Sequence, residues 1–367
     1  MGRDVRAVGI DPGTLSFSIF GIEGEEVILD RDIPAKVIDK DPEKVVEIIK
    51  SIEPNIIAGP SGYGLPVKHV KDLNEHDRFL CTLLRKDDTS LSVLSGLHAI
   101  IGLSIAYKLP MYLIPSVILL PTVPRYRKYN KIDMGTADKL CVAVLGVYDQ
   151  SNRLSIPYSE TSFILAEIGG AFTTVLGVEN GQIVDGIGGT QGPIGFMNHG
   201  RMDGEVAYIL GEFKKAVLFE GGASFIAARK TISPDEFFNK IDKDEKYYEA
   251  YTALLEDIMK FIRALTASVR NPREILVSGR LSKYRRLIKD LMEGLSDIGP
   301  VRVLEGFKAT SKKPAQGAAL VADGIAGGPR RDLVEHMKIK EASGSVVDYV
   351  ILSKWKEALR RASGLDW

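Results

Sequence analysis

Short apolar runs that stop at glycine-containing turns dominate the first thirty residues and predict strands. Residues 5–10 are almost continuously apolar and end in an Asp-Pro-Gly-Thr turn at residues 11–14, after which residues 16–22 resume the pattern. A third run, residues 26–30, follows a turn at Gly24. Runs of this length bounded by Gly and Pro are typical of hairpin strands. The N-terminus is therefore predicted to form a three-stranded meander.

A second hairpin is predicted near the middle of the chain. The apolar residues 163–166 lead to Glu167, a turn at Gly169 and Gly170 follows, and residues 173–178 are again rich in β-branched side chains. Because glycine tolerates positive φ and allows close approach, the N–H groups of such a turn can point at an anion such as phosphate. The alternative is an ordinary meander turn, since one Gly-Gly pair is a weak signal.

Helices and strands alternate between and after these hairpins, which predicts an α/β protein. A polar stretch at residues 231–247 is predicted to be a surface insertion. The predicted helices are residues 41–52, 91–108, 132–147, 205–215, 248–270 and 315–324, and the further strands are residues 55–58, 111–114, 182–185, 274–277 and 301–304.

The length of 367 residues exceeds the size at which a single core stops growing, so two domains are expected. A polar connection at residues 148–152 sets the predicted division. The result is an N-terminal domain of residues 1–155, a C-terminal domain of residues 156–328 and a helical tail of residues 329–367.

The charge balance argues against nucleic acid and anionic membranes as partners. Lys plus Arg and Asp plus Glu number 48 each, which leaves no net field to attract either. The cationic, tyrosine-containing residues 125–131 could bind an anion, but such a run is more often a solvated surface. No apolar run is long enough to cross a membrane. The two cysteines lack metal-ligand spacing, which fits a reducing compartment. We expect a cytoplasmic protein.

Two motifs resemble the acetate and sugar kinase, Hsp70 and actin superfamily. The Asp-x-Gly-Thr turn at residues 11–14 is similar to its first phosphate motif, and the hairpin, glycine-rich loop and Arg-x-Asp-Gly of residues 167–204 are similar to its second. Residues 186–205 most resemble the acetate and butyrate kinase branch, and the whole pattern also looks like an archaeal family of unknown function related to butyrate kinases. The resemblance implies two RNase H-like (actin-like ATPase) domains with Mg-ATP in the cleft between them.

The resemblance also implies roles for individual residues. Asp11 would organise hydrated Mg²⁺, and Glu167 would assist the metal or a water. Arg280 stands where the adenosine motif usually has a second glycine, so that a purine could stack on its guanidinium. The implied nucleotide contacts are Gly13, Thr14, Ser16, Gly169, Gly170, Thr173, Gly221, Gly222, Gly279 and Arg280.

Arg201 and Asp138 are the further catalytic candidates. On the family match, Arg201 would stabilise charge on the transferring phosphoryl group. The alternative is that Arg201 pairs with Asp203 or Glu205 at a helix start, a contact of little energetic effect. Asp138 stands where acetate kinases have a histidine. The helix N-terminus at Asp138 would favour an anion or a metal-bound oxygen there; the alternative is that Asp138 simply complements the helix dipole.

Three departures from the kinase pattern limit what it implies. The loop at residues 59–66 lacks the family arginine, with Lys68 or His69 as the nearest cations, and no carboxylate stands near Ser116. Lys312 and Lys313 stand where the family has a metal-organising glutamate, and lysines cannot replace a carboxylate toward Mg²⁺. The expected function is ATP-dependent phosphoryl transfer to a small carboxylate or hydroxyl compound, with a homodimer as a candidate assembly. The alternative is an ATP-binding switch or ATPase without such an acceptor.

Overall fold

The computed structural model describes residues 5–13, 16–60, 62–89 and 92–367. Within them the chain forms two mixed β-sheets with helices packed against them. The strands are β1 (Arg6–Pro12), β2 (Ser16–Glu23), β3 (Glu26–Pro34), β4 (Ile56–Pro60), β5 (Lys68–His69), β6 (Met111–Ile114), β7 (Phe163–Ile168), β8 (Thr173–Glu179), β9 (Gln182–Ile187), β10 (Glu274–Ser278) and β11 (Val301–Val303).

Polar side chains define the starts of several helices. Asn74 and Asp77 form a reciprocal capping box at α3, and the side chains of Asp203 and Ser233 accept backbone hydrogen bonds at the starts of α7 and α9. The α-helices are α1 (Ala35–Lys40), α2 (Glu43–Lys50), α3 (Glu75–Thr82), α4 (Ser92–Ala106), α5 (Arg125–Lys128), α6 (Ala137–Leu154), α7 (Gly204–Leu210), α8 (Ala223–Ala228), α9 (Pro234–Lys240), α10 (Glu245–Leu265), α11 (Arg285–Gly294), α12 (Lys313–Ile325), α13 (Arg331–His336) and α14 (Trp355–Ser363).

The two sheets repeat one strand arrangement. The first has the order β3-β2-β1-β4-β6-β5, and the second has the order β11-β10-β7-β8-β9. In each, a central strand, β1 or β7, pairs antiparallel with the next strand of its hairpin and parallel with a strand on its other side, β4 or β10. The carboxyl ends of β1 and β7 are therefore equivalent positions in the two halves.

Helix α12 packs on the first sheet although the predicted boundaries place it in the second domain. A Cβ on Gly9 of β1 would lie 2.1 Å from the carbonyl oxygen of Ala315, and one on Gly317 would lie 1.9 Å from that of Cys141 in α6. Small residues on both sides let the backbones approach this closely. The division at residues 155 and 328 stays a prediction, and α12 is the element that crosses it.

The polar connection at residues 148–152 is not a linker, because α6 continues through it to Leu154. Its Gln150 is buried, donates to Glu274 over 2.6 Å and accepts from the Ser162 N–H over 2.8 Å. Gln150 thus satisfies buried polar groups at the edge of the second sheet rather than facing solvent.

The expectation of a surface insertion at residues 231–247 is wrong. Within this stretch α9 buries Phe237 against Phe196, with ring centroids 5.5 Å apart, and Ile241 is also buried. A single short helical face carries these apolar side chains, so a mostly polar composition hid their contribution to the core.

The tail packs against the first half of the chain. Arg330 is almost fully buried; its Nη1 donates to the Gly24 carbonyl over 2.5 Å, and its backbone N–H donates to Asp323 over 2.7 Å. At the C-terminus, the Trp367 ring lies edge-on against His76 and Phe79. Among the described residues, no helix has both the length and the apolar character required to cross a bilayer.

Candidate functional site

A cavity of about 710 Å³ lies between the carboxyl ends of β1 and β7. Its described lining carries six cationic and four carboxylate side chains, an excess that favours an anionic ligand. The cations are Lys139, Lys215, Arg280, Lys283, Lys312 and Lys313, and the carboxylates are Asp11, Asp133, Asp138 and Glu167.

The first hairpin contributes Asp11, Gly13 and Ser16 to this lining, as its motif predicts. The Lys312 Nζ lies 2.7 Å from the Asp11 Oδ2 and donates to the Ser16 carbonyl over 2.8 Å. A Cβ on Gly13 would lie only 2.4 Å from that ammonium, so the glycine leaves the space that Lys312 fills. Thr14 lies outside the described residues.

The second hairpin contributes Glu167, Gly169 and Gly170, and the start of α6 brings Asp138 beside them. The Lys139 Nζ lies 2.7 Å from both the Glu167 Oε2 and the Asp138 Oδ2. Thr136 also donates to Asp138 over 2.5 Å. The structure thus joins two predicted carboxylates through Lys139, the residue after Asp138, which is not among the predicted site residues.

Burial controls protonation in this second cluster. It raises the pKa of Glu167, and the Lys139 charge offsets only part of that effect. Burial also opposes ionisation of Asp138, but Lys139 and the hydrogen bonds outweigh it and lower the pKa of Asp138. Burial alone would lower the pKa of Lys139, yet its two carboxylates raise that pKa. Lys139 is therefore a permanent cation.

The turn after β10 completes the cavity wall with Ser278, Gly279 and Arg280. Gly279 has φ +92°, and a Cβ there would lie 2.4 Å from the Ile168 carbonyl oxygen at the end of β7. Only glycine fits this crossing without strain. The predicted adenosine turn is thus held directly against the second hairpin.

Several polar groups of the lining have no partner within the described chain. The buried Oγ atoms of Ser16, Ser278 and Ser311 make no hydrogen bond. At the second hairpin, Gly169 donates to the Phe172 carbonyl over 2.9 Å, whereas no described hydrogen bond uses the Gly170 N–H. Unpaired buried hydroxyls are costly unless a ligand or water satisfies them, so these groups indicate a binding site.

Three predicted nucleotide contacts are not in the described lining. Thr173 is fully buried in β8, and its neighbour Thr174 lines the cavity instead. Gly221 and Gly222 pack against the loop at residues 195–199, where Gly222 donates to the Met197 carbonyl over 2.8 Å. Their lack of side chains serves this close packing of two loops.

Arg201 is also outside the described lining. Its Nη1 lies 2.9 and 2.8 Å from the two carboxylate oxygens of Asp257 in α10, and its guanidinium stacks over Phe261. Neither Asp203 nor Glu205 is the ion-pair partner, so the sequence-based alternative also named the wrong carboxylate. Asp257 further accepts from the Ile194 N–H over 2.8 Å, which fastens the glycine-rich loop to α10.

Lys215 and Tyr63 are further lining residues, and sequence reasoning missed both. Lys215 lies over the Tyr63 ring at 4.6 Å and donates to the Thr82 carbonyl. Burial lowers the pKa of Lys215 to about 8, with Asp133 and Asp88 opposing the shift. Burial likewise raises the pKa of Asp133, whose Oδ2 accepts from the Thr190 hydroxyl over 3.0 Å. No motif marks Lys215.

Lys68 and His69, which the sequence suggested in place of the missing loop arginine, do not line the described cavity. Among the described residues Lys68 pairs with Asp77 over 2.7 Å, and His69 packs against Tyr112.

Comparison with known proteins decides the family. Residues 9–352 match the family described as "Protein of unknown function (DUF1464)". The chain belongs to the DUF1464 family. None of the curated proteins matches it in sequence.

Solved structures similar to this DUF1464 protein include three acyl kinases. A propionate kinase from Francisella tularensis subsp. tularensis SCHU S4 has 14% identity and a TM-score of 0.62, with 85% of this chain and 97% of that chain covered. An acetate kinase from Porphyromonas gingivalis has 12% identity and a TM-score of 0.60, with 86% of this chain and 98% of that chain covered. An acetate kinase from Entamoeba histolytica has 11% identity and a TM-score of 0.57, with 78% of this chain and 85% of that chain covered. This likeness confirms the predicted fold class of two actin-like ATPase domains.

The two carboxylates predicted to bind Mg²⁺ in the DUF1464 site are already paired with cations. Asp11 and Glu167 each already hold a lysine. Among the described residues, no group of three or more His, Cys, Asp or Glu side chains is arranged to hold a metal. The metal role of Asp11 and Glu167 therefore stays a prediction.

The cationic residues 125–131 of the DUF1464 chain are partly used within the fold. Arg127 donates to the Val184 carbonyl over 2.8 Å, and Lys128 is buried and donates to the Leu120 carbonyl over 2.8 Å. Lys131 donates to the Arg127 carbonyl over 2.8 Å. Because Lys128 is buried while Tyr126 and Tyr129 are exposed, the run is only in part the solvated surface that the sequence indicated.

Proposed function

We propose that this chain is an ATP-dependent phosphotransferase that acts on a small carboxylate or hydroxyl compound. The observation that carries the proposal is the shared cavity, whose lining combines both glycine hairpins with unpaired serine hydroxyls and an excess of cations. Each hairpin comes from a different sheet, so a ligand that touches both would couple binding to closure of the cleft.

The phosphates belong at the hairpin end of the cavity. Gly170 supplies a backbone donor there and Ser16 a hydroxyl, Gly13 and Gly169 shape the turns, and the cations neutralise charge. The turn at Ser278–Arg280 lies beside them and suits the sugar and base. Mg²⁺, when bound, would polarise the transferring phosphoryl group, and Asp11 and Glu167 are the carboxylates that would face it.

The acceptor belongs at the end formed by Tyr63 and Lys215. Phe172 and Phe219 pack edge-to-face there, 4.9 Å apart, and Leu218 adds a further apolar wall. An ammonium beside such walls suits a small compound with one anionic or hydroxyl group and a short apolar part.

A second candidate function, an ATP-binding switch or ATPase without an acceptor, is favoured by the position of Arg201. Arg201 contacts Asp257 and is not part of the described cavity lining, so it is not positioned to stabilise phosphoryl transfer there. Lys312 and Lys313 at the predicted metal-organising position favour the same candidate. Localisation in the cytoplasm and homodimer formation stay predictions.

One experiment tests both candidates. We expect calorimetric titration with Mg-ATP to show saturable binding, and turnover of ATP to rise when one member of a panel of short carboxylates, sugars and alcohols is added. Slow ATP hydrolysis that no acceptor stimulates would favour the switch or ATPase. Absence of heat and of any melting shift at millimolar Mg-ATP would contradict both, because a ligand at 100 times its dissociation constant stabilises by about 2.7 kcal/mol.

A further inference from the structure

The ammonium of Lys312 occupies the first glycine turn, where the terminal phosphates of a nucleotide would lie. It contacts the Asp11 carboxylate and the Ser16 carbonyl, and it fills the space beside Gly13. The turn that leaves room for a phosphate therefore already contains a cation from a segment roughly three hundred residues later.

The backbone of this segment is fixed to the first sheet. Asp30 accepts from the Thr310 and Ser311 N–H groups over 2.7 and 2.8 Å, and the Lys312 N–H donates to the Ser18 hydroxyl over 3.2 Å. Ser18 in turn donates to Asp32 over 2.5 Å. Lys312 is thus positioned by a network that does not involve Asp11, so its side chain can change partners while its backbone stays in place.

Lys312 is better able to exchange partners than the other buried lysine of the site. Lys139 is held by two carboxylates and is 14% exposed, whereas Lys312 has one carboxylate and a carbonyl and is 29% exposed. The unpaired hydroxyls of Ser16 and Ser311 lie next to it in the lining and could complete the coordination of a phosphate oxygen.

We propose that Lys312 binds the terminal phosphates of the nucleotide directly, exchanging the Asp11 carboxylate for phosphate oxygens, so that nucleotide binding does not require a divalent cation. This proposal rests on the nucleotide-binding part of the proposed function. In this proposal Lys312 binds phosphate, whereas a carboxylate at this position would organise a metal ion. The proposal concerns the metal requirement of nucleotide binding and makes no statement about that of the transfer step.

The test is calorimetric titration of the full-length protein with a non-hydrolysable ATP analogue, in Mg²⁺ and in EDTA. The wild type is expected to bind in both. Lys312→Met is expected to lose about 10- to 100-fold in affinity in EDTA, the factor for a charge-assisted hydrogen bond to phosphate. Mg²⁺ is expected to restore part of that loss, because Asp11 is then free of its lysine. Lys308→Met, at an exposed lysine four residues away, is the matched control and should bind like the wild type.

The outcomes separate this inference from the proposed function. Wild-type binding in Mg²⁺ but not in EDTA would overturn the role of Lys312 and leave nucleotide binding intact. No binding in either condition would overturn both. Mn²⁺ binding in the absence of nucleotide, monitored by electron paramagnetic resonance, gives a readout that does not depend on affinity for the analogue. We expect no Mn²⁺ site at Asp11 in the wild type, and a wild-type Mn²⁺ site there would contradict the inference.

Discussion

The two hairpins occupy equivalent positions in their sheets, and each ends in a carboxylate that pairs with a lysine. At the first hairpin the pair is Asp11 with Lys312, and a single carboxylate faces a partly exposed ammonium. At the second, Glu167 and Asp138 share Lys139, and their side chains are mostly buried. The same strand arrangement thus supports one open ion pair and one closed ionic cluster.

The difference indicates a division of labour between the halves. A buried cluster whose charges compensate one another is costly to break, which suits a fixed wall of the cavity. A single, more exposed pair can exchange one partner for a ligand at lower cost. We therefore expect changes in the second half to affect stability most, and changes at Lys312 to affect binding.

The largest effect is expected for Lys139→Met. Removal of this ammonium leaves Glu167 and Asp138 buried without a counter-charge, and we expect a loss of about 3–5 kcal/mol in the free energy of unfolding, measured by urea denaturation. Lys260→Met, which breaks an exposed pair with Glu256, is the control and should change little. Equal, small effects of Lys139→Met and Lys312→Met would remove the contrast between the two halves.

Glycine substitutions give the next largest effect. Gly279→Ala puts a side chain in a backbone conformation that costs about 1–3 kcal/mol and also crowds the Ile168 carbonyl. Gly211 also has a positive φ, +63°, but a Cβ there meets nothing within 4 Å. Gly211→Ala therefore measures the backbone cost alone. Gly13→Ala in the first half meets the flexible end of Lys312 and, at 3.0 Å, the Ser16 carbonyl oxygen, but its φ is not positive, so it should destabilise least. A thermal or urea series in which Gly279→Ala and Gly211→Ala are equally destabilising would contradict this contact.

A smaller, pH-dependent effect is expected from Lys215, which lies where the halves meet. Its pKa of about 8 in the folded protein is below its ordinary value of 10.5, so between these pH values the unfolded chain binds more protons. The free energy of unfolding should therefore rise with pH, by at most about 1.4 kcal/mol per pH unit from this group. Urea titrations from pH 7.5 to 9.5 should show a smaller slope for Lys215→Met than for the wild type. Identical slopes would show that Lys215 is not the responsible group.

The smallest effect is expected for Arg201→Lys. The contacts of Arg201 with Asp257 come from a single nitrogen, so Arg201→Lys can largely preserve them and should change stability little. Arg201→Ala should destabilise more than Arg201→Lys, because it leaves the buried Asp257 carboxylate without its counter-charge. Nucleotide affinity should not change in either variant. A catalytic arginine would instead make Arg201→Lys nearly as harmful to turnover as Arg201→Ala, since an ammonium lacks the paired donors. Single-turnover rates and melting temperatures of both variants distinguish the two roles.

The sequence predicted the parts of the site that depend on local pattern. Asp11-x-Gly13 and Glu167 with Gly169-Gly170 mark turns that short-range chemistry requires, and these residues do line the cavity. Lys139 directly follows the predicted Asp138, and Lys312 stands at the predicted metal-organising position, but neither position indicates an ion pair with Glu167 or Asp11. Lys215 reaches the cavity from a segment that carries no motif.

Arg201 and the stretch at residues 231–247 show the opposite limitation. Arg201 follows a glycine-rich loop that suggests a ligand, yet its partner Asp257 lies in a helix more than fifty residues later. The buried face of α9 comprises too few apolar residues for a clear period, so Phe237 was not expected in the core. In both cases tertiary contacts, which a single sequence does not display, determine the role.

Hydrogen–deuterium exchange with and without ADP and Mg²⁺ tests most directly whether one nucleotide joins the two halves. Amides that bind a ligand or are closed in by it exchange more slowly. We predict slower exchange in peptides covering both hairpins, residues 9–18 and 166–174, and in the turn at residues 278–283. Protection of one hairpin alone, or of neither under conditions in which ADP is shown to bind, would contradict a phosphate site shared by the two sheets.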